Sequence, residues 1–464
     1  MLSVIAIAGR PNVGKSTLFN RLTRTRDALV ANKPGLTRDR QYGMANIDDR
    51  NCLIVDTGGL SGDEAGIDEL MAKQARAAID EADLVLFMVD AKDGLTSLDE
   101  DISQFLRQSS KPVLLVVNKI DGHDPAVVSA EFHALGRGEM MPITASQGGG
   151  IRDLGARILE SLPAPIAEDV EAEVEQGIRV AFAGRPNVGK STMLNRMLGE
   201  ERVITYDQPG TTRDSIFVPF ERDGQRYTLI DTAGVRRRGK VFEAVEKFSV
   251  IKTLQAIEQA HVVVFLVDAQ EGIVDQDATL LGFILEQGRS LVLTVNKWDG
   301  LDFDHRDFVK RELDRRLPYL DFAKPHYVSA LHGSGIGNLF DDIRIAHASA
   351  MRAMSTSELN RVLEQALDAH QPPLRRGRRI KLRYAHQGGY NPPRIVIHGN
   401  QTEGLPESYR RYLEKAFRKA FDLVGTPVRL SFRTGDNPFK GKPNKLKERI
   451  AEQRGRTPKK TRSR

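Results

Sequence analysis

Short, unbroken apolar runs alternate with longer stretches of helical apolar spacing over the first 350 residues. Runs at 53–55, 84–89, 112–117 and 262–267 have the length of strands buried on both faces. Stretches between them, for example around residues 69–79, repeat their apolar positions with helical spacing. Regular alternation of strand and helix predicts α/β domains with doubly wound, mostly parallel sheets. The first apolar run lacks a basic leader and ends in glycine, which predicts a first strand and not a signal peptide. No run approaches the roughly 18 residues of a membrane span. After about residue 350 the pattern changes. A helix at 357–370, strands at 380–384 and 394–397, a helix at 408–423 and a strand at 428–432 predict a small α+β domain. Beyond 434 the chain is polar, basic and punctuated by Gly and Pro, the pattern of a disordered tail.

The chain also repeats itself. Ala8-Gly9-Arg10-Pro11-Asn12-Val13-Gly14-Lys15-Ser16-Thr17 returns as Ala183-Gly184-Arg185-Pro186-Asn187-Val188-Gly189-Lys190-Ser191-Thr192, 175 residues later. So long a period means duplicated domains, because solenoid repeats have periods of about 20–50 residues. The expected organisation is a first domain at 1–162, an acidic Pro-containing linker at 163–177, a second domain at 178–350, the small domain at 351–434 and the tail at 435–464.

Composition changes this picture in two ways. A single cysteine, Cys52, excludes a disulfide framework and predicts a reducing, cytoplasmic setting. Cys52 sits in an apolar run and is expected to be a buried strand residue. The net charge of +6 conceals an asymmetry: from residue 351 on, 27 Lys and Arg face only 10 Asp and Glu, so the first 350 residues are net acidic.

Gly9-x4-Gly14-Lys15-Ser16 and Gly184-x4-Gly189-Lys190-Ser191 fit a phosphate-binding loop between a strand and a helix. Glycines there let backbone N–H groups converge on phosphate oxygens, and the helix N-terminus adds positive partial charge. Lys15 and Lys190 are expected at the β- and γ-phosphates, and Ser16 and Ser191 on Mg²⁺. The loop does not distinguish adenine from guanine. Asn118-Lys119-Ile120-Asp121 and Asn296-Lys297-Trp298-Asp299 do, each after an apolar strand. A carboxylate at Asp121 or Asp299 can accept from guanine N1–H and the 2-amino group; adenine would leave it unpaired.

Three further elements complete each copy. Thr37 and Thr212, in Gly-containing loops, are expected on Mg²⁺ and close to the chemistry. Asp56-Thr57-Gly58-Gly59-Leu60 and Asp231-Thr232-Ala233-Gly234-Val235 supply a metal-shell aspartate and a glycine N–H for the γ-phosphate. Thr144-Ala145 and Ser329-Ala330 stand where a base-supporting loop belongs. Leu60 and Val235 replace the water-orienting Gln of Ras-like GTPases. Hydrolysis of GTP to GDP and phosphate must then be slow, assisted by a partner, or assisted by another electrostatic device such as a monovalent cation. The copies diverge next: Asp63-Glu64 is acidic, whereas Arg236-Arg237-Arg238-Gly239-Lys240 is basic.

With these motifs the chain resembles the Der/EngA family of bacterial double-G-domain GTPases over about residues 1–432. The resemblance implies two tandem P-loop GTPase domains and a C-terminal KH-like domain. It implies a role in late assembly of the large (50S) ribosomal subunit, with ribosomal RNA as partner. It also implies K⁺-stimulated hydrolysis, with Asn12 and Asn187 as cation ligands. From residue 351 on no two glycines stand three apart, so the G-x-x-G clamp of KH domains is absent and the likeness is one of topology. The basic surfaces at 375–379 and 440–464 can still bind phosphate backbones electrostatically. A GTPase component of a tRNA-modification system is the alternative, but the chain has no second cysteine for the accompanying redox chemistry. A membrane-remodelling GTPase would need an anchor, and none is visible. The expected protein is a ribosome-associated cytoplasmic monomer with no membrane or DNA partner.

Overall fold

The structure, a computed structural model, describes residues 2–23, 29–30, 41–48, 50–57, 76–122, 124–163, 177–199, 203–205, 217–230, 250–375 and 378–434. The chain divides into two compact units, residues 1–351 with 423–427, and residues 352–422 with 428–464.

The first unit contains two seven-stranded sheets of identical order. One runs Leu29–Val30, Gln41–Ile47, Arg50–Asp56, Ser3–Ala8, Leu84–Asp90, Val113–Asn118, Met140–Pro142. The other runs Val203–Thr205, Phe217–Arg222, Gln225–Ile230, Ile178–Ala183, Val262–Asp268, Ser290–Asn296, His326–Tyr327. In each, the first two pairings are antiparallel and the remaining four are parallel. The central strands are buried along their whole length, as the unbroken apolar runs predict; Leu84–Asp90 and Val262–Asp268 expose no residue. Each fully buried Phe or Leu of such a strand contributes about 1.5–3 kcal/mol relative to exposure. Cys52 is buried on its strand, and burial pushes its thiol up to about 11.

The antiparallel edges went unread in the sequence. Gln41–Ile47 alternates polar and apolar residues too weakly to stand out, and it is held by its pairing with Arg50–Asp56. Of the helix expected around 69–79, only the part from residue 76 is described, and it is helical to 81.

The second unit has the expected α-β-β-α-β order, with helix Thr356–Ala369, strands Lys381–Gly389 and Arg394–Asn400, helix Glu407–Ala420 and strand Arg429–Thr434. It adds an unexpected short antiparallel pair, Leu374–Arg375 with Arg378–Arg379, after the first helix. The first strand pairs antiparallel with the second, and the second parallel with the third. A Ser355 capping box with Glu358 starts the first helix. Lys381–Gly389 extends five residues beyond the strand expected at 380–384, because one sheet face is half-exposed and accepts polar side chains that interrupt an apolar run. Among the described residues no helix is long and apolar enough to cross a membrane.

Candidate functional site

The candidate residues gather at the carboxyl ends of the parallel strands, where open α/β sheets bind ligands. Strand Ser3–Ala8 ends at Gly9, and Ile178–Ala183 at Gly184. A Cβ on Gly9 would lie 2.5 Å from the Met88 carbonyl oxygen, and one on Gly184 2.5 Å from that of Leu266, so only glycine lets the chain turn beside its neighbour. Asn12 and Asn187 follow with left-handed φ values of 67° and 65°, then Gly14 and Gly189 at 100° and 98°. Helices Lys15–Thr23 and Lys190–Leu198 begin directly after. Near-equal dihedrals in two copies mean that the motif itself dictates the loop.

Both loop lysines turn back over their loop. Lys15 Nζ donates to the carbonyls of Gly9 at 3.1 Å and Arg10 at 2.7 Å; Lys190 Nζ donates to Gly184 at 2.9 Å and Arg185 at 2.7 Å. Burial lowers the Lys15 amine to about 8, with Asp56 opposing the shift and Arg10 adding to it. A polyphosphate beside it would raise that value again. Nucleotide binding to the first domain at pH 8 is therefore expected to take up a fraction of a proton, and affinity to fall as pH rises through 8. Calorimetric titration of GDP in two buffers of different ionisation enthalpy checks this; identical heats would remove the linkage.

Ser16 Oγ donates to Asp56 Oδ2 at 2.7 Å, which brings two of the residues assigned to Mg²⁺ into contact. A hydroxyl and a carboxylate this close form an oxygen donor pair suited to a hard cation. Thr57 Oγ1 donates to the Ile7 carbonyl at 2.8 Å, anchoring the end of that strand. Thr37, Gly58, Gly59, Leu60, Thr212 and residues 231–235 lie outside the described residues, as do 63–64 and 236–240.

The Asn-Lys-x-Asp segments are tied to these loops. Asn118 Nδ2 donates to the Val13 carbonyl at 2.8 Å, and its Oδ1 accepts from Ala145 N–H at 3.0 Å. Asn296 repeats both bonds with Val188 at 2.8 Å and Ala330 at 2.9 Å. Each amide also fills the space where a Cβ on Gly14 or Gly189 would stand. Lys119 and Lys297 take left-handed φ values of 66° and 62°. Lys119 pairs with buried Asp90 and donates to the Asn12 carbonyl at 2.9 Å, while Lys297 pairs with buried Asp268. Asp121 lies 3.4 Å from Lys92. Asp299 lies 3.0 Å from His332, and the Ser329 hydroxyl helps hold its carboxyl below the usual range.

Sequence reasoning missed several partners. Asp90 and Asp268, the ion-pair partners of the two lysines, close the strands Leu84–Asp90 and Val262–Asp268. Arg10 Nε lies 3.4 Å from buried Asp99, and its Nη2 donates to Asp93 at 2.9 Å. Arg185 Nε donates to both oxygens of buried Asp277 at 3.0 Å, and its Nη1 to Glu271 at 2.6 Å. The phosphate loop is thus clamped in both copies by its own arginine. The signal was present in the duplication: Val89-Asp90-Ala91-x2-Gly94 and Val267-Asp268-Ala269-x2-Gly272 repeat with the same spacing, as do Asp99 and Asp277.

Two domains with the same strand order and the same loop geometry agree with the comparisons. The family described as 50S ribosome-binding GTPase matches residues 4–119 and 179–297. The KH-domain-like region of EngA bacterial GTPase enzymes matches residues 353–433. The chain is 60% identical over 451 residues to GTPase Der of Thioalkalivibrio sulfidiphilus, covering 97% of each chain. It is 58% identical over 449 residues to GTPase Der of Hahella chejuensis, covering 97% of this chain and 95% of that one. The chain belongs to the Der/EngA family. It is a GTP-binding protein and a GTPase, with two P-loop domains in tandem and a KH-like C-terminal domain.

Proposed function

We propose that this GTPase acts in the cytoplasm in late assembly of the large (50S) ribosomal subunit, with its nucleotide state controlling how a basic module meets ribosomal RNA. The observation that carries the reading is the charge separation: 27 basic against 10 acidic residues from 351 on, behind a net acidic pair of G domains. Such a region binds phosphate backbones by counterion release, without reading sequence. The family's description as 50S ribosome-binding supports the choice of subunit.

In each domain Lys15 or Lys190 neutralises charge on the β- and γ-phosphates, and loop N–H groups hold the chain of phosphates in line for attack by water. Asp121 and Asp299 accept from guanine N1–H and the 2-amino group. Ser16, Thr37 and Asp56, with Ser191, Thr212 and Asp231, would hold Mg²⁺. When bound, Mg²⁺ draws charge from the β- and γ-oxygens. Leu60 and Val235 cannot orient the water; Asn12 and Asn187 would hold K⁺, which would supply positive charge to the transition state in place of that Gln. The shared left-handed backbone at those two asparagines supports a common role.

Sedimentation of the protein with purified large subunits tests the reading. Co-sedimentation is expected with a GTP analogue and reduced with GDP; identical pelleting with analogue, GDP and no nucleotide would overturn the switch. In parallel, replacing K⁺ by Na⁺ is expected to slow hydrolysis by at least tenfold. Equal rates would remove the cation role of Asn12 and Asn187.

A further inference from the structure

We infer that the open face of the C-terminal sheet is a stacking platform for unpaired RNA nucleotides. Helix Thr356–Ala369 meets the opposite face, where Asn360 brackets Ala385 by accepting from its N–H at 2.8 Å and donating to its carbonyl at 3.2 Å. Ala385, Ile395 and Ile397 are fully buried on that side. Strict alternation would place Tyr384 there too, because it lies two residues from buried Leu382. A register shift between Leu382 and Tyr384 breaks the alternation. Ala385 then pairs with Ile397 on the covered face, and Tyr384 pairs with His398 on the other. A bulge that re-aims a side chain is a common device beside binding sites. Here its effect is to leave a tyrosine 47% exposed.

Tyr384 does not stand alone. Its ring lies 4.4 Å from that of His398 at an interplanar angle of 6°. His386 lies 5.2 Å from His398 at 27° and 6.4 Å from Tyr384 at 25°. The three rings stack on one another on one sheet face and leave their outward faces for nucleobases to continue the stack, and base–aromatic stacking tolerates any sequence. Charge selects the occupant. The three strands Lys381–Gly389, Arg394–Asn400 and Arg429–Thr434 carry five basic residues and no acidic one. Arg433 is in register with His398, and Arg394 begins the same strand. Both are exposed, and neither is in an ion pair among the described residues. Rings between cations match bases strung on phosphates, whereas an apolar or basic protein surface would leave the arginines unmatched. The platform also answers the missing G-x-x-G clamp, since backbone capture passes to the arginines and base capture to the rings.

The inference rests on the reading of this protein as one that meets ribosomal RNA, and the test separates the two. The full-length protein is titrated into a fluorescently labelled single-stranded RNA octamer of mixed sequence, followed by anisotropy. Tyr384→Ala and His398→Ala are each expected to weaken binding about 5- to 100-fold, while Tyr384→Phe binds as the wild type. Arg433→Ala is expected to lower the salt dependence, which Tyr384→Ala leaves unchanged. GTP hydrolysis by every variant should match the wild type, and its circular dichroism and thermal unfolding should match too, which shows that the substituted C-terminal unit is folded. Equal binding of the octamer by wild type and Tyr384→Ala overturns the platform, as does a wild type that binds no octamer. Large-subunit sedimentation then reports separately: if the wild type still pellets with subunits, the ribosomal role stands without the platform. Loss of pelleting in Tyr384→Ala with unchanged octamer affinity would assign the face to a ribosomal protein and also overturn the proposal.

Discussion

Asp299→Asn is expected to cost the second G domain about 100- to 10,000-fold in GTP affinity and to confer binding of xanthosine triphosphate. The carboxyl lies beside His332, and the Ser329 hydroxyl helps keep it below the usual range, so it is ionised at neutral pH and accepts only. Guanine offers two donors to it. Hydrogen bonds to a charged group contribute about 1.5–3 kcal/mol each, which sets the size of the loss. The amide places its N–H₂ against one of those donors, whereas the xanthine edge carries an oxygen there and accepts. The measurement is the stoichiometry of a fluorescent GTP analogue on the full-length protein, which should fall from two sites to one, while one site for the xanthosine nucleotide appears. Asp121→Asn should do the same in the first domain. Two unchanged GTP sites would remove the guanine assignment.

The second large effect is expected from Asn296→Ala. The residue is 2% exposed, and its amide joins the phosphate loop, through Val188 at 2.8 Å, to the base-side loop, through Ala330 at 2.9 Å. Truncation leaves a carbonyl and an N–H unsatisfied in a buried place. At about 1–3 kcal/mol each, the combined cost is about 2–6 kcal/mol. GDP affinity at that site should drop at least 100-fold. Hydrogen exchange should rise together in the two loops, residues 188–192 and 329–335. Faster exchange in only one of them would sink the idea that this side chain couples them. Asn118→Ala, with bonds of 2.8 and 3.0 Å, is the matching experiment in the first domain.

These two residues also mark the limit of what the motifs convey. Asp299 and Asn296 were both legible as members of Asn-Lys-Trp-Asp, and their roles differ entirely. Asp299 is a candidate base reader at the site surface, whereas Asn296 is a buried strut. Spacing identifies both, because a strand end followed by a tight turn needs those residue types. The arginine clamps and the buried Asp90 and Asp268 were not read, since their partners stand 29 to 92 residues away along the chain. The edge strands were missed for the same reason: their stability comes from pairing and not from their own apolar pattern.

The sequence by itself determined the duplication, the α/β class of both G domains, the nucleotide motifs and the charge asymmetry. Each of these is local or periodic, and glycine tolerance, strand burial and charge count act without knowledge of distant partners. Only the tertiary structure decided which side chains lock the loops, and that one register shift turns Tyr384 outward to join His386 and His398. Those outcomes depend on backbone register between strands, and a one-residue shift moves a side chain from one sheet face to the other without changing any motif.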